Sequence, residues 1–239
     1  MKERADKVLA DLKLVASRSQ AKSLIEKGDV VVNGVVLKKA SELIGLDAKI
    51  EINAPLFVGR GAFKLEKAME VFKLEVKDHI MLDVGASTGG FTEVLLLSGA
   101  AKVYAIDVGH DQLALKLKDD PRVINLEGTN IKDLSSLPEL ADGAVMDLSF
   151  ISITKVLAQV RNLMKEGAPL MALVKPQFEA GLHRLPKDGV IKDENTRQDI
   201  LKEVICFATS NGWIHKQTAD SPIQGKNGNT EYLVYLVRS

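Results

Sequence analysis

The hydrophobic positions of this chain fall into two regimes. Over residues 5–25 apolar side chains recur at helical spacing, so that Ala5–Leu12 reads as one amphipathic helix and Ser17–Ile25 as a second, with Ser17 as N-cap. Gly28 ends the second helix, and Val30–Val36 then runs through Asn33-Gly34, the dipeptide of a tight hairpin. Beyond Asn53-Ala54-Pro55 short apolar runs alternate with helical stretches. Runs near 80–84, 102–106, 122–126, 143–147, 169–174, 213–218 and 231–237 predict strands; stretches near 61–73, 89–98, 110–118, 153–164 and 194–211 predict helices. Apolar strands alternating with helices mean a mostly parallel sheet covered on both faces. The last two strands are joined by the polar turn Ser221–Asn229, which predicts an antiparallel hairpin. The expected fold is α/β: a seven-stranded, mostly parallel, Rossmann-like sheet with an antiparallel last strand, over 60–239. A small α+β unit over 1–52 and a linker over 53–59 precede it.

Composition narrows the setting. With 46% apolar residues in 239 there is ample material for a core. No apolar run approaches the roughly 18 residues that span a bilayer, and the start is charged, which points to a cytoplasmic protein that avoids membranes. The lone cysteine, Cys206, lies in a helical pattern and is expected to be a buried small hydrophobe. His79, His110, His183 and His215 show no metal-ligand spacing, so no metal is expected. Net charge is zero, yet residues 1–68 hold 13 Lys/Arg against 9 Asp/Glu, a net +4 balanced by −4 in the remainder. A basic front end on an acidic body fits an anionic partner met by the N-terminal unit.

The most chemical stretch is Asp83-Val84-Gly85-Ala86-Ser87-Thr88-Gly89-Gly90-Phe91, at the end of an apolar strand. Its glycines admit a ligand that a Cβ would exclude. Asp107 ends the next strand, where a carboxylate can accept hydrogen bonds from ribose hydroxyls. The spacing after Gly85 is wrong for a dinucleotide fingerprint, and no Gly-Lys-Ser/Thr follows as a P-loop requires. An acid ahead of the first glycine repels a pyrophosphate and suits a cationic ligand. The pattern Asp-x-Gly-x-x-x-Gly fits S-adenosylmethionine, with Asp83, Gly85, Ser87, Gly89, Gly90, Phe91 and Asp107 as the candidate set.

Four more ionisable residues are predicted on the same edge of the sheet: Lys64 on the helix entering the domain, Asp147 after the fourth strand, Lys175 after the fifth, and Glu231 opening the last. A lysine of ordinary pKa, about 10.4, is a poor base at neutral pH; burial and a second cation lower it, and neighbouring carboxylates do the reverse. The sequence leaves that balance open. An ion-paired sheet edge without catalysis is the plain alternative for any one of the four.

Two resemblances sharpen this. Ser17 to Gly34 resembles the S4-like RNA-binding domain almost position for position, with Arg and Lys presented on a helix–hairpin surface to grip phosphates. The candidate RNA contacts are Arg4, Lys7, Arg18, Lys22, Lys38 and Arg60. Together with Arg60–Leu65, Asp83–Phe91, Asp107-Val108-Gly109, Thr129-Asn130, Asp147–Phe150, Lys175–Gly181 and Gly228–Tyr232, the chain resembles the TlyA (hemolysin A) family. These are ribosomal RNA 2′-O-ribose methyltransferases, an S4-like domain ahead of an FtsJ-like, class I catalytic domain. The resemblance implies a Lys-Asp-Lys-Glu tetrad made of Lys64, Asp147, Lys175 and Glu231, with Lys175 as base, Asn130 near the adenosyl group, cytidine as target, and rRNA or ribosomal subunits as partner. Gly59-Arg60-Gly61, Lys132 and Leu182–Pro186 depart from the family's pattern. Oligomeric state stays open. The rival readings are a base-methylating enzyme, a membrane-lysing protein, and a catalytically silent RNA-binding scaffold. The absence of prolines in Asp147-Leu148-Ser149-Phe150 argues against the first.

Overall fold

The computed structural model describes residues 2–12, 14–15, 17–53 and 57–239; within the expected linker, Ala54, Pro55 and Leu56 lie outside the described residues. The chain forms two compact units, residues 1–60 and 61–239.

The first unit contains β1 (Lys2–Arg4), α1 (Ala5–Asp11), α2 (Arg18–Lys27), β2 (Val30–Val32), β3 (Val35–Val36), β4 (Leu43–Gly45) and β5 (Ile50–Ile52). The Ser17 Oγ accepts from Gln20 N at 3.2 Å, and Gly28 closes α2 in the left-handed region at φ 81°. Val8, Leu9, Leu24 and Ile25 pack the helices onto the buried side of β2. The strands pair as β1–β4 and as β3-β2-β5, both antiparallel. β1, β4 and β5 have three residues each, too short to print an alternation on the sequence.

The second unit contains α3 (Gly61–Phe72), β6 (Ile80–Val84), α4 (Gly90–Leu97), β7 (Lys102–Asp107), α5 (Leu115–Lys118), β8 (Val123–Glu127), β9 (Gly143–Met146), α6 (Leu157–Asn162), β10 (Pro169–Val174), α7 (Pro176–Glu179), α8 (Gly181–Arg184), α9 (Glu194–Ser210), β11 (Trp213–Asp220) and β12 (Tyr232–Arg238). The seven strands lie in the order β11-β12-β10-β9-β6-β7-β8. β10, β9, β6, β7 and β8 pair parallel, and β12 runs antiparallel to both β10 and β11. Register then dictates where the chemistry lies. Val84 is opposite Met146, and Val174 is opposite Tyr232. Asp147 and Lys175 therefore leave their strands on the edge where Glu231 enters β12.

Three expectations need correction. The helix expected over 110–118 is confined to α5, because the Glu127 carboxylate accepts from the amides of Gln112 and Leu113 at 2.5 and 2.8 Å and holds that stretch as a loop. The helix expected over 153–164 is a 3-10 turn, Ile153–Lys155, followed by α6. Cys206 is exposed: α9 buries Ile200, Leu201, Val204 and Ala208, and position 206 lies off that stripe. Among the described residues no helix is long and apolar enough to cross a membrane.

Candidate active site

The turn between β6 and α4 is shaped by two glycines. Gly85 (φ 92°) passes so close to the start of the β9 loop that a Cβ there would lie 2.5 Å from the Asp147 carbonyl oxygen. Gly89 (φ 93°) caps α4, and a Cβ on it would meet Leu117 Cδ1 at 2.2 Å. Gly85 N and Ala86 N donate to Ile106 O at 2.8 and 3.1 Å, which ties the turn to the tip of β7. At that tip Asp107 accepts from Ser87 N at 2.8 Å and from Gly109 N at 2.7 Å. The amides fix the carboxylate, and its remaining lone pairs suit ribose hydroxyls. Thr129 N donates to Asp107 O at 2.9 Å, bringing the Thr129-Asn130 step beside it; the Asn130 side chain accepts from Lys132 N at 3.1 Å.

Beneath the turn Asp83 has no exposed surface. Its Oδ2 accepts from Thr92 Oγ1 at 2.6 Å, and its Oδ1 has no side-chain or backbone partner among the described residues. Burial pushes its pKa up to about 7, against the pull of the Thr92 hydrogen bonds. A carboxylate buried in this way below a glycine turn adds negative potential there when ionised, which favours a cationic ligand over an anionic one. The turn, Asp83 and Asp107 together fit a sulfonium-bearing nucleoside better than a phosphate.

At the neighbouring strand ends lie two lysines and two acids in one connected chain. Glu231 Oε2 accepts from Lys64 Nζ at 2.7 Å; Lys64 Nζ stands 3.4 Å from Asp147 Oδ2; Asp147 Oδ1 stands 2.5 Å from Lys175 Nζ. Lys175 Nζ also donates to Ser149 Oγ at 2.9 Å. Lys64, Lys175 and Glu231 are buried, and Asp147 is the most open of the four. Buried ammonium and carboxylate groups are held in fixed positions only when each finds its counter-charge, which alternation along this chain provides. The formal charges of the set sum to zero. α3 brings Lys64 in over the glycine turn: a Cβ on Gly61 would touch the Phe91 ring at 3.5 Å and stand 3.9 Å from Asp147 Oδ2.

A family model described as FtsJ-like methyltransferase matches residues 57–238. The chain belongs to that family. An S4 domain model matches residues 3–50. The 16S/23S rRNA (cytidine-2′-O)-methyltransferase TlyA of Mycobacterium tuberculosis is 40% identical over 98% of this chain and 89% of its own length. Hemolysin A of Brachyspira hyodysenteriae is 41% identical over 92% of this chain and 94% of its own. A solved Streptococcus thermophilus protein carrying a hemolysin name aligns with a TM-score of 0.77 at 39% identity, covering 100% of this chain and 89% of that one. NodS of Bradyrhizobium japonicum, an N-methyltransferase solved with S-adenosyl-L-homocysteine, shares the fold alone: TM-score 0.52 at 15% identity, over 74% of this chain and 87% of its own.

Within the S4 domain, Asp6 gathers two of the sequence-predicted cations. It pairs with Arg4 at 3.0 Å and with Arg18 at 2.8 Å, so that both guanidiniums are held at the surface by one buried carboxylate. The Arg4 hydrogen bond, helped by Arg18, draws the Asp6 pKa down to about 2 despite its burial. Lys7 pairs with Glu3 and, at 3.8 Å, with Asp11. Lys22 is exposed and 3.6 Å from Glu26; Lys38 and Arg60 are exposed.

In the FtsJ-like unit the structure adds residues that sequence reasoning missed. Glu179, at the end of α7, accepts from Ser152 Oγ at 2.5 Å and from Ile153 N at 3.0 Å, and burial raises its pKa. It thereby ties the turn after Lys175 to the loop after Asp147. Phe150, on that loop, is 87% exposed in the left-handed region at φ 65°, its ring 5.1 Å from that of Phe178. A bulky residue rarely adopts such a backbone without surrounding structure to impose it. Both residues lie in stretches that carry the family resemblance, but their contacts depend on which loops meet and are not written in those stretches.

Proposed function

We propose that this FtsJ-like enzyme transfers a methyl group from S-adenosylmethionine to the ribose 2′-hydroxyl of a cytidine in ribosomal RNA, free or within a ribosomal subunit. The observation that carries this reading is the unbroken chain Glu231–Lys64–Asp147–Lys175 beside the glycine turn. The name of the Mycobacterium tuberculosis relative, 40% identical over nearly the whole chain, supports the substrate.

Asp83, Gly85, Ser87, Gly89, Gly90, Phe91, Asp107 and Asn130 form the cofactor cradle. When bound, the cofactor supplies an electrophilic methyl on a sulfonium sulfur. Once Lys175 Nζ has released its own proton to solvent, the neutral amine takes the proton of the 2′-hydroxyl as the oxygen attacks, and Asp147 and Ser149 hold it on line. The ribose oxygen would gain the methyl in exchange for its proton, which Lys175 would hold and pass to solvent, so that atoms and charge balance. Lys64 and Glu231 hold the ribose in position. Phe150 offers an exposed ring on which an unstacked base can lie. Affinity comes chiefly from the S4 domain, through Arg4, Lys7, Arg18, Lys22 and Lys38, with Arg60 following it; phosphate contacts of this kind position RNA without reading sequence.

The test is transfer of labelled methyl to small subunits, large subunits and naked rRNA. Incorporation should map to a cytidine whose 3′ phosphodiester resists alkaline cleavage. Incorporation on a base atom, or none on any of the three substrates, would defeat the proposal.

The Asp6 pair yields a prediction whose sign is informative. Removing an acid from a cationic face ordinarily strengthens RNA binding. Here Asp6→Asn releases Arg4 and Arg18 from their common anchor, and RNA affinity should fall about three- to tenfold at constant salt. Filter binding or fluorescence anisotropy would measure it, and tighter binding would contradict preorganisation.

A further inference from the structure

Among the four residues of the chain of ion pairs, Glu231 is positioned in the least obvious way. It immediately precedes β12, its side chain is 3% exposed, and it is approached from behind by the loop that leads into it. That loop closes on itself: Gly225 N donates to Asn229 O at 2.9 Å, and Ser221 N donates to Glu231 O at 3.0 Å. The closure presses the Gly225 backbone against the Glu231 side chain. A Cβ on Gly225 would lie 2.1 Å from Oε1 and 2.8 Å from the carboxyl carbon. Gly225 has φ −68° and ψ −177°, extended backbone open to any L residue. What requires glycine here is the space taken by the carboxylate.

Asn229 fastens the loop from the other side. It is buried, its Oδ1 accepts from Ile191 N at 3.3 Å, and its Nδ2 donates to Gly189 O at 3.0 Å. Ile191 in turn belongs to a small apolar cluster with Ala180 and Ile200. The segment that follows α8 is thereby joined to the loop that backs Glu231. A buried amide satisfied by two backbone partners is a rigid fixture.

We infer that Gly225 and Asn229 are positioning residues: Asn229 pins the 221–230 loop to residues 189–191, and Gly225 forms the wall that sets the Glu231 carboxylate 2.7 Å from Lys64. This rests on the role of Glu231 in the proposed reaction. Gly225→Ala should push the carboxylate off Lys64 and lower kcat at least about tenfold, with the KM for cofactor and the Kd for RNA within about twofold, since misplacement by an ångström costs rate before affinity. In a Glu231→Ala background the same substitution should have no further effect on kcat, because the group it displaces is gone. Asn229→Asp keeps the acceptor for Ile191 N and loses the donor to Gly189 O; it should show a smaller loss with the same dependence on Glu231, and it carries the test if Gly225→Ala fails to fold. Losses that add to that of Glu231→Ala would mark a general structural role and overturn the inference, as would wild-type kcat in both variants. Wild-type kcat in Glu231→Ala itself would remove the inference together with the assigned role of Glu231.

Discussion

Replacing Lys175 by alanine lowers methyl transfer by about a thousandfold or more and leaves RNA binding within about twofold of wild type, the loss expected when a general base is removed. Lys175 sits at the end of β10, in contact with Asp147 and Ser149, and none of the candidate RNA contacts of the S4 domain is among these partners. In the variant Asp147 keeps Lys64 at 3.4 Å, so its charge retains a partner and the fold is expected to survive. Lys175→Arg separates base from charge. A guanidinium preserves the positive partner for Asp147 but does not surrender a proton at neutral pH. It should be nearly as inactive as the alanine variant, and single-turnover transfer measured beside RNA binding decides the matter. Activity within tenfold of wild type in the arginine variant would mean that Lys175 works through its charge alone.

Asp83→Asn changes how stability depends on pH. The Asp83 carboxyl titrates near 7 in the folded protein, against 3.8 without the fold, because burial disfavours its charged form. A raised carboxyl pKa means that the folded state holds the proton more tightly. Its stabilising contribution is fully present below about pH 4 and is lost as pH rises through 7, a swing of roughly 4 kcal/mol in all. The asparagine variant lacks that swing: its Tm should vary less between pH 5 and 8 than that of wild type. A cationic ligand favours the ionised carboxylate, so cofactor affinity of the wild type should rise across neutrality, and that of the variant should stay flat. Calorimetric titrations at pH 6 and 8 measure both. Equal pH slopes for the two proteins would show that Asp83 does not titrate in this range.

The sheet was legible because parallel strands buried on both faces print nearly continuous apolar runs, and the strand-end positions of Asp107, Asp147 and Lys175 followed from those runs. What escaped was whatever depends on one element reaching another. The loop at 110–114 is read as helix until Glu127 is seen to hold its amides. Gly225 is one residue of a polar turn until Glu231 is found against it, and Glu179 one residue of a motif stretch until Ser152 meets it. The short strands β1, β4 and β5 gain their partners only from tertiary pairing. Cys206 shows the opposite error: a residue type that is usually buried, placed outward by the register of its helix.

The reversed direction of β12 has a consequence for the time at which activity appears. This strand lies between β11 and β10, so β11 has no sheet to join until β12 has been synthesised and inserted. Lys64 and Glu231 stand 167 residues apart in the chain, and their ion pair forms only with that insertion. A nascent polypeptide can therefore fold its S4 domain, and grip RNA, well before it owns a working centre. On the mechanism proposed above, recognition would precede reactivity during synthesis, with insertion of β12 as the step that joins them.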